Sequence, residues 1–386
     1  MVIFTLWTLV ITVLFVRTIL KPGSQTVFPI FHTAGGRWLN SKNLYQGGTE
    51  YRYSPLIAAF FVPFSLLPMW LANLVWRGLN VALYLGAVGT WLRRGTSRIP
   101  AGNQAFVFLL MLPLSIGSLN NAQSNPLLIA VIMSALIAAR NERWTSAALC
   151  IGFVTYLKVY PLAAGLLLTL LFPKKFAWRL AAALLALGAL SFILQRPAYV
   201  LEQYRSWVAT RSVDERHYSV ITAPRDLWML LRVFGIELNL RFYFVVQILG
   251  GAAIAALCLF GRLRGWATDR LLTTVFTLVC GWMLLLGPAT ESATYILLAP
   301  AICLAAVEAF SRPFPGWMRS LLAAALVILI GGAAFIAWAG RRRDIWSMSI
   351  QPFGTVLFCV FAVAWVFRDS LWSDSHPGDA DVRTSS

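Results

Sequence analysis

Six polar blocks interrupt an otherwise apolar chain and supply the side chains that could do chemistry. They contain carboxylates suited to proton transfer, cations suited to a phosphate group and amides suited to sugar hydroxyls. The blocks are residues 47–55, 119–126, 156–161, 211–226, 287–295 and 341–344. Gathered at one face of the protein they would form a binding or catalytic site, whereas scattered surface loops would form none.

Glu291 is the carboxylate whose position most needs an explanation. It lies in a short Thr-Glu-Ser loop at the entrance to an apolar run, where a charge is costly unless it is paired or functional. One interpretation is a general base. The other is a helix N-terminal carboxylate favoured by the helix dipole, with Thr290 or Ser292 as the cap.

Lys158 and a set of amides allow a similar pair of interpretations. Lys158 interrupts an apolar stretch just before Tyr160 and could either snorkel to the membrane interface or meet a lipid phosphate as a point charge. The amides could bind sugar hydroxyls or form a capped turn before Pro126. They are Asn120, Asn121, Gln123 and Asn125. His32, beside aromatic residues, could be a packed imidazole or a catalytic one.

Composition determines the class of protein to which these blocks belong. Apolar residues make up 59% of the 386 residues and charged residues 12%, against about 45–50% and about 25% in soluble chains. These values exclude a soluble enzyme, a disordered chain and a disulfide-stapled secreted domain. The five cysteines lie in apolar runs without CxxC spacing, which favours core packing over metal ligation. The chain is an integral membrane protein.

Twelve apolar runs approach the length of about 20 residues that a spanning helix needs. They are 2–20, 69–92, 104–119, 126–139, 145–157, 161–172, 178–194, 241–260, 270–286, 292–311, 319–338 and 350–367. The first run lacks a basic leading segment, which favours a retained span over a signal peptide. We therefore predict an all-α, polytopic protein of about 11–13 transmembrane helices, with one domain over 1–368 and a disordered cytoplasmic tail over 369–386.

The orientation depends on residues 55–67, an apolar stretch with an internal Pro63. We predict that this stretch lies in the membrane interface, as do the amphipathic segments around residues 30–38 and 200–208. The short basic turns then share one side, which the positive-inside rule makes cytoplasmic. The net charge of +17 thus indicates lipid headgroups rather than nucleic acid. The long loops 21–68 and 195–240, and all six polar blocks, would lie outside. On this topology Arg341–Arg343 imply either a miscounted span or an outer anion site.

The common nucleotide-binding and metal-binding motifs are absent from the sequence. The sequence contains no GxxxxGK[ST], no GxGxxG opening a helix after a strand, no HExxH and no Cys/His cluster. We therefore predict no metal and no nucleotide or redox cofactor.

Six short segments, in this order, resemble the family-87 glycosyltransferases over roughly residues 1–310. They are AGGRWLNSKNLY (34–45), YRYSPL (51–56), PFSLLP (63–68), NNAQSNPLL (120–128), YLKVYPL (156–162) and GPATESATY (287–295). The resemblance implies the GT-C architecture in the plasma (inner) membrane. It also implies an inverting transfer of a hexose, usually mannose, from a polyprenyl-phosphate sugar. The acceptor would be a lipid or glycan hydroxyl at the extracytoplasmic face, with the lipid-linked donor as co-substrate.

The resemblance also implies residue roles. Lys158 matches the family's Lys-x-Tyr-Pro position, so a phosphate role is carried over to it, with Tyr160 beside it. We predict that Arg52, Tyr53 and Arg225 assist with the donor. We predict that Asn121, Gln123 and Asn125 bind sugar or acceptor.

The chain departs from the family at the expected base. Members typically carry an acid shortly after the first span, whereas residues 21–37 contain no Asp or Glu. The candidate bases are therefore Glu291, then Glu50, with His32 as a non-carboxylate option. Two other hypotheses remain at this point. One is a transporter or flippase for a lipid or sugar, and the other is a catalytically inactive relative.

Overall fold

The fold is a bundle of helices, seen in a computed structural model that describes residues 2–24, 26–46, 50–95, 97–211, 224–287, 290–339 and 345–372. No strand occurs in these ranges. The helices are α1 (Val2–Leu20), α2 (Phe28–Leu39), α3 (Pro55–Phe60), α4 (Val62–Ser65), α5 (Met69–Arg94), α6 (Gln104–Asn120), α7 (Asn125–Arg140), α8 (Trp144–Leu157), α9 (Leu162–Leu171), α10 (Trp178–Leu194), α11 (Pro197–Arg211), α12 (Leu227–Val233), α13 (Leu240–Leu263), α14 (Thr268–Leu285), α15 (Ala299–Ser311), α16 (Gly316–Ala339) and α17 (Ile345–Phe367). Short 3₁₀ turns cover Ala101–Asn103, Ser292–Leu297 and Asp369–Leu371, and a π turn covers Pro173–Ala177.

Eight of these helices are long and apolar enough to cross a membrane. Four shorter apolar helices, α7, α8, α9 and α15, lie between them in the chain. Within the described ranges there is thus one apolar helix for each of the twelve predicted runs. The prediction of an all-α, multi-pass membrane protein is confirmed.

Burial separates a centre from a periphery. The most apolar stretch of α14 is 83% buried, whereas those of α1 and α13 are only 17% and 11% buried. α7 and α15 are also buried along most of their length. Because an apolar helix with little protein around it must face hydrocarbon, α1, α10 and α13 form the lipid-facing rim around a core of α7, α14 and α15.

One predicted span is wrong in detail. Residues 292–311 were expected to form one apolar helix, but the structure has a 3₁₀ turn at Ser292–Leu297 and begins α15 at Ala299. Pro300 lies in the first turn of α15, and proline has no N–H to continue a hydrogen-bonded helix through that position. Glu291 is therefore the N-cap of a 3₁₀ turn and not of a long α-helix.

Residues 55–67 do not cross the membrane. They form α3 and α4, of six and four residues, far below the length of about 20 residues that a span needs. α2 packs on both α3 and α4. Gly35 lies at this contact, where a residue with a side chain would not fit. A Cβ on Gly35 would lie 2.5 Å from the carbonyl oxygen of Phe61. The predicted amphipathic segment around residues 200–208 lies in α11, whose apolar residues do not form one buried face, since Val200 is buried but Leu201 and Val208 are exposed. Gln203 on α11 accepts a 2.8 Å hydrogen bond from the backbone N–H of Leu44 in the first loop.

The short basic turns meet at one end of the bundle, which we call the basic end. Arg140 pairs with Asp269 at 2.8 Å, and Lys175 pairs with Glu142 at 2.9 Å. From two further turns, Arg98 and Arg312 both donate to the carbonyl of Leu371. We call the opposite end, with loops 119–125, 158–161 and 290–292, the polar end.

Some predictions concern the chain's last residues and one basic cluster. Asp369–Leu371, the start of the predicted disordered tail, form a 3₁₀ turn whose Leu371 is buried. Residues 373–386 and the Arg341–Arg343 cluster lie outside the described residues.

A buried cation anchors the polar end to α5. Arg77 donates from Nε to Asn73 Oδ1 at 3.0 Å and from Nη1 to the carbonyl of Leu119. Asn73 in turn donates to the carbonyl of Pro22 at 2.8 Å. These bonds tie the end of α6 and the start of the first loop to one turn of α5.

Replacing Arg77 with methionine is expected to lower the free energy of unfolding by about 1–3 kcal/mol, because the buried Leu119 carbonyl loses its donor. The matched control is Arg93→Met, an exposed arginine on the same helix, with an expected change below about 0.5 kcal/mol. Thermal and denaturant unfolding in detergent micelles measure both. Equal losses in the two variants would contradict this role for Arg77.

Candidate functional site

Four side chains at the polar end form one continuous line of hydrogen bonds, here called the polar chain: Lys158, Asn125, Gln123 and Glu291. Lys158 Nζ donates to Asn125 Oδ1 at 2.7 Å. The amide nitrogen of Asn125 donates to Gln123 Oε1. Gln123 Nε2 donates to Glu291 Oε2 at 2.9 Å. A cation and a carboxylate from distant parts of the sequence are thus joined through two amides.

The charges at the two ends dictate how both amides are oriented. An ammonium group only donates and an ionised carboxylate only accepts. Asn125 must therefore present its oxygen to Lys158, and Gln123 must present its NH₂ group to Glu291. The two amide dipoles consequently align head to tail from the cation to the anion, which stabilises both charges without direct contact between them.

Loop 119–125 carries the two amides and is held in place by hydrogen bonds from side chains of α5. Trp76 Nε1 donates to the carbonyl of Ala122 at 2.9 Å, and Asn80 Oδ1 accepts from the backbone N–H of Leu127 at 3.1 Å. Ala122 adopts a left-handed backbone with φ of 51°, which turns the chain sharply between α6 and α7. Gln123 and Asn125 are buried as a result, so their positions are set by the bundle.

Lys158 stands where α8 ends and α9 begins. Its extended backbone, with φ of −149° and ψ of 137°, terminates α8, and Pro161 follows as the N-cap of α9. The ammonium nitrogen lies 5.8 Å from the ring centroid of Tyr160, within the range of a cation–π contact. The predicted pair of Lys158 and Tyr160 therefore meets in space, and Lys158 is half-buried.

Glu291 is a carboxylate at the start of a helical turn, as one of its two interpretations predicts, but the cap is Glu291 itself and not Thr290 or Ser292. Its side chain accepts from the backbone N–H of Thr294, and the Thr294 hydroxyl accepts from the Glu291 N–H at 3.2 Å, which is a reciprocal cap. The same carboxylate accepts from Gln123 and remains exposed. Two donors thus fix the Glu291 carboxylate in place, and part of the side chain stays exposed to an incoming group.

Arg225 joins the same region through its backbone. Its N–H donates to the carbonyl of Thr290 at 2.7 Å, and its carbonyl accepts from the Tyr295 hydroxyl at 2.8 Å. Arg225 and the adjacent Asp226 are both buried, and Asp226 caps α12 by accepting from the N–H of Met229 at 3.2 Å. The sequence analysis missed Asp226, although an aspartate immediately before an apolar helix is a recognisable capping signal.

The candidates in the first loop lie against other partners. His32 Nε2 is 3.1 Å from the carbonyl oxygen of Leu67, and Glu50 is exposed. Within the described part of the chain, no hydrogen bond joins either of them to Glu291. Arg52 is exposed and accepts at its carbonyl from Trp207 Nε1 at 3.2 Å.

Tyr53 belongs to an aromatic cluster between α2 and the first loop. Its ring lies 4.7 Å from that of Phe31, and its carbonyl accepts from the Tyr45 hydroxyl at 2.7 Å. Burial raises the pKa of Tyr45 well above its usual value, so this phenol stays a hydrogen-bond donor. Asn121 has a structural contact too, since its carbonyl accepts from the N–H of Val27 at 3.0 Å. The roles predicted for Tyr53 and Asn121 stay predictions.

No group of three or more His, Cys, Asp or Glu side chains that could hold a metal ion occurs among the residues the structure describes.

Comparison with known proteins gives a family match and a weak likeness to solved structures. The sequence model of Glycosyltransferase family 87 matches residues 51–288. No curated protein matches the chain. Among solved structures, ArnT from Cupriavidus metallidurans bound to undecaprenyl phosphate is similar at 13% identity and a TM-score of 0.36, over 89% of this chain and 72% of that one. A likeness of this size carries no argument about function.

Gln123→Met tests the polar chain without any assay of activity. The variant removes one donor from Glu291 and the shorter of the two acceptors from Asn125, which keeps a 3.5 Å contact with the Ala293 carbonyl. We therefore expect a loss of about 1–3 kcal/mol in the free energy of unfolding. The matched control is Gln104→Met at the basic end, where the amide makes only a 3.4 Å contact with the Ile99 carbonyl. Thermal unfolding of both variants in detergent measures the difference. A loss in Gln123→Met no larger than in the control would contradict the chain as a stabilising unit.

Proposed function

Since the chain belongs to glycosyltransferase family 87, we propose that it transfers a hexose from a polyprenyl-phosphate sugar to a lipid or glycan hydroxyl, with Glu291 as general base. The observation that carries this proposal is the polar chain, which places one carboxylate and one cation at opposite ends of two fixed amides. Mannose is the hexose that the family resemblance favours.

In this reaction Glu291 takes up the proton that is released, and Lys158 stabilises the negative charge that forms. The acceptor oxygen attacks the anomeric carbon of the sugar and forms the new C–O bond as its proton moves to the Glu291 carboxylate. The bond between the anomeric carbon and the phosphate oxygen breaks, and the electron pair stays with that oxygen. The lipid phosphate therefore gains one negative charge, which the Lys158 ammonium stabilises as it develops.

The separation of Glu291 and Lys158 suits an inverting displacement. In such a reaction the nucleophile and the leaving group lie on opposite sides of the anomeric carbon, so the base and the phosphate-binding cation must also be apart. A direct ion pair would neutralise both groups and leave neither for substrate. Two intervening amides keep the charges compensated and separate.

Glu291 is preferred over Glu50 and His32 as the base because it alone of the three belongs to the polar chain. It would replace the acid that family members typically carry after the first span. It also lies just beyond the matched range of 51–288, so this role is argued from its contacts and not from the family match.

We further propose that the polar end faces the outside of the plasma (inner) membrane. The support is the gathering of basic turns at the opposite end, where arginines of several turns bond to one another's segments. Positively charged short loops are retained on the cytoplasmic side. The lipid-linked donor and the acceptor would then meet at the extracytoplasmic face.

Glu291→Gln is expected to lower the rate of transfer roughly 10²–10⁴-fold, the usual contribution of a general base. The assay follows labelled mannose from polyprenyl-phosphate-mannose into lipid or glycan, with the protein in vesicles and a membrane extract as the source of acceptors. Glu202→Gln, an exposed carboxylate on α11, is the matched control and should transfer at the wild-type rate. Glu50→Gln tests the second candidate in the same assay. Full transfer by Glu291→Gln would remove its assignment, and absence of transfer by the wild-type protein would favour the inactive relative.

Lys158→Met is expected to lower kcat/KM for the donor about 10²–10³-fold, as loss of a group that stabilises a developing oxyanion does. Lys158→Arg keeps the charge and should recover part of the loss. Lys175→Met removes a lysine from an exposed ion pair at the basic end and serves as the control. A Lys158→Met enzyme with an unchanged kcat/KM would exclude the phosphate role.

A further inference from the structure

An open groove lies along the last turns of α1, away from the polar chain. Its volume is about 500 Å³. Its lining combines apolar side chains, here called the apolar wall, with two cations and two hydroxyls. The apolar lining is Val13, Val16 and Leu20, and the polar lining is Thr12, Arg17, Lys21 and Ser24. Among these lining residues there is no carboxylate.

The apolar wall faces the bilayer. Only 17% of the most apolar stretch of α1 is buried, and Val13 and Leu20 expose 57% and 74% of their surface. Arg17 and Lys21 lie at the end of α1 that adjoins the polar end, because Arg17 Nη1 donates to Asn120 Oδ1 at 2.8 Å. The groove therefore runs from hydrocarbon depth to the level of the headgroups on that side.

Snorkelling alone does not explain this arrangement. A single lysine or arginine at a helix end reaches the interface by extending its side chain. Here the bond to Asn120 holds the Arg17 guanidinium in place at the rim of a concave surface, beside a second cation and two hydroxyls. A planar guanidinium fixed in this way suits an anionic oxygen ligand, and phosphate in particular.

We propose that this groove binds an anionic phospholipid, with its phosphate between Arg17 and Lys21 and an acyl chain along Val13, Val16 and Leu20. The occupant must carry both a negative headgroup and a hydrocarbon chain, since the groove offers two cations at one end and a lipid-facing apolar wall at the other. The proposal stands apart from the transfer reaction, because none of the lining residues belongs to the polar chain.

Occupation of the groove has a consequence for the polar end. Asn120, which positions Arg17, is the last residue of α6 and directly precedes the loop that holds Gln123 and Asn125. An anion bound at Arg17 therefore stabilises the same turn from the lipid side.

Photo-crosslinking of the full chain in lipid nanodiscs tests the site. The nanodiscs contain phosphatidylcholine with a trace of photoactivatable phosphatidylglycerol, and peptide mass spectrometry measures the label on residues 2–24. We expect at least fivefold less label on this segment in Arg17→Gln/Lys21→Gln than in wild type. The matched control, Arg93→Gln/Arg94→Gln at the basic end, should label residues 2–24 as wild type does.

A second variant and a competition series keep the result interpretable. Lys21→Gln alone leaves the Arg17–Asn120 bond intact and should lose part of the label, so a folding defect cannot account for the effect. Excess phosphatidylglycerol should displace the label, and excess phosphatidylcholine should not. Equal displacement by phosphatidylcholine, or unchanged labelling in the double variant, would overturn the site. Much stronger displacement by polyprenyl phosphate would overturn the assignment to a phospholipid. Because the readout is binding, it is independent of whether Glu291→Gln abolishes transfer.

Discussion

The polar turn between α6 and α7 can exist inside an apolar bundle only because α5 satisfies its backbone. A bilayer offers no water to an unpaired carbonyl or N–H, so each such group needs a partner within the protein. Trp76, Arg77 and Asn80 provide partners for the backbone of Ala122, Leu119 and Leu127. All three project from one turn of α5. The placement of Gln123 and Asn125, and with them the line of bonds from Lys158 to Glu291, follows from this turn.

The polar chain joins two opposite charges through neutral groups. Lys158 and Glu291 lie on segments more than a hundred residues apart. The two amides between them keep the charges apart and so weaken their electrostatic attraction. In a site of low dielectric, full neutralisation would cost reactivity and an isolated charge would cost stability. An intermediate arrangement preserves a carboxylate that can accept a proton and a cation that can meet a phosphate.

The two ends of the bundle differ in how they use arginine and lysine. At the basic end the cations bond to backbone carbonyls and to acids, as Arg98 and Arg312 do at the Leu371 carbonyl and Arg140 does at Asp269. Such contacts provide donors for backbone carbonyls near helix ends or form surface ion pairs, and the exposed pairs contribute little to stability. At the polar end two cations are held by side-chain amides instead, Arg17 by Asn120 and Lys158 by Asn125.

Much of the fold was predictable from the sequence, because apolar runs of sufficient length have one stable state in a bilayer. The twelve apolar helices and the short helices of residues 55–67 follow from length and proline. The same signals failed at residues 292–311, where hydropathy is uniform and Pro300 alone marks the break. Composition cannot tell a helix that continues from one that restarts after a 3₁₀ turn.

The candidate site divides in the same way. Glu291, Gln123, Asn125 and Lys158 stood out in the sequence because each is a polar residue bordering an apolar run, and that contrast is local. Which of them touch, and that Glu50 and His32 are not hydrogen-bonded to Glu291 within the described residues, depends on how α5, α7, α8 and the turn before α15 pack. The sequence by itself determined a multi-pass bundle with polar residues at the ends of its helices, since hydropathy acts residue by residue. Only the tertiary structure decided which polar residues meet, because hydrogen bonds between distant segments depend on helix packing, which no single stretch of sequence encodes.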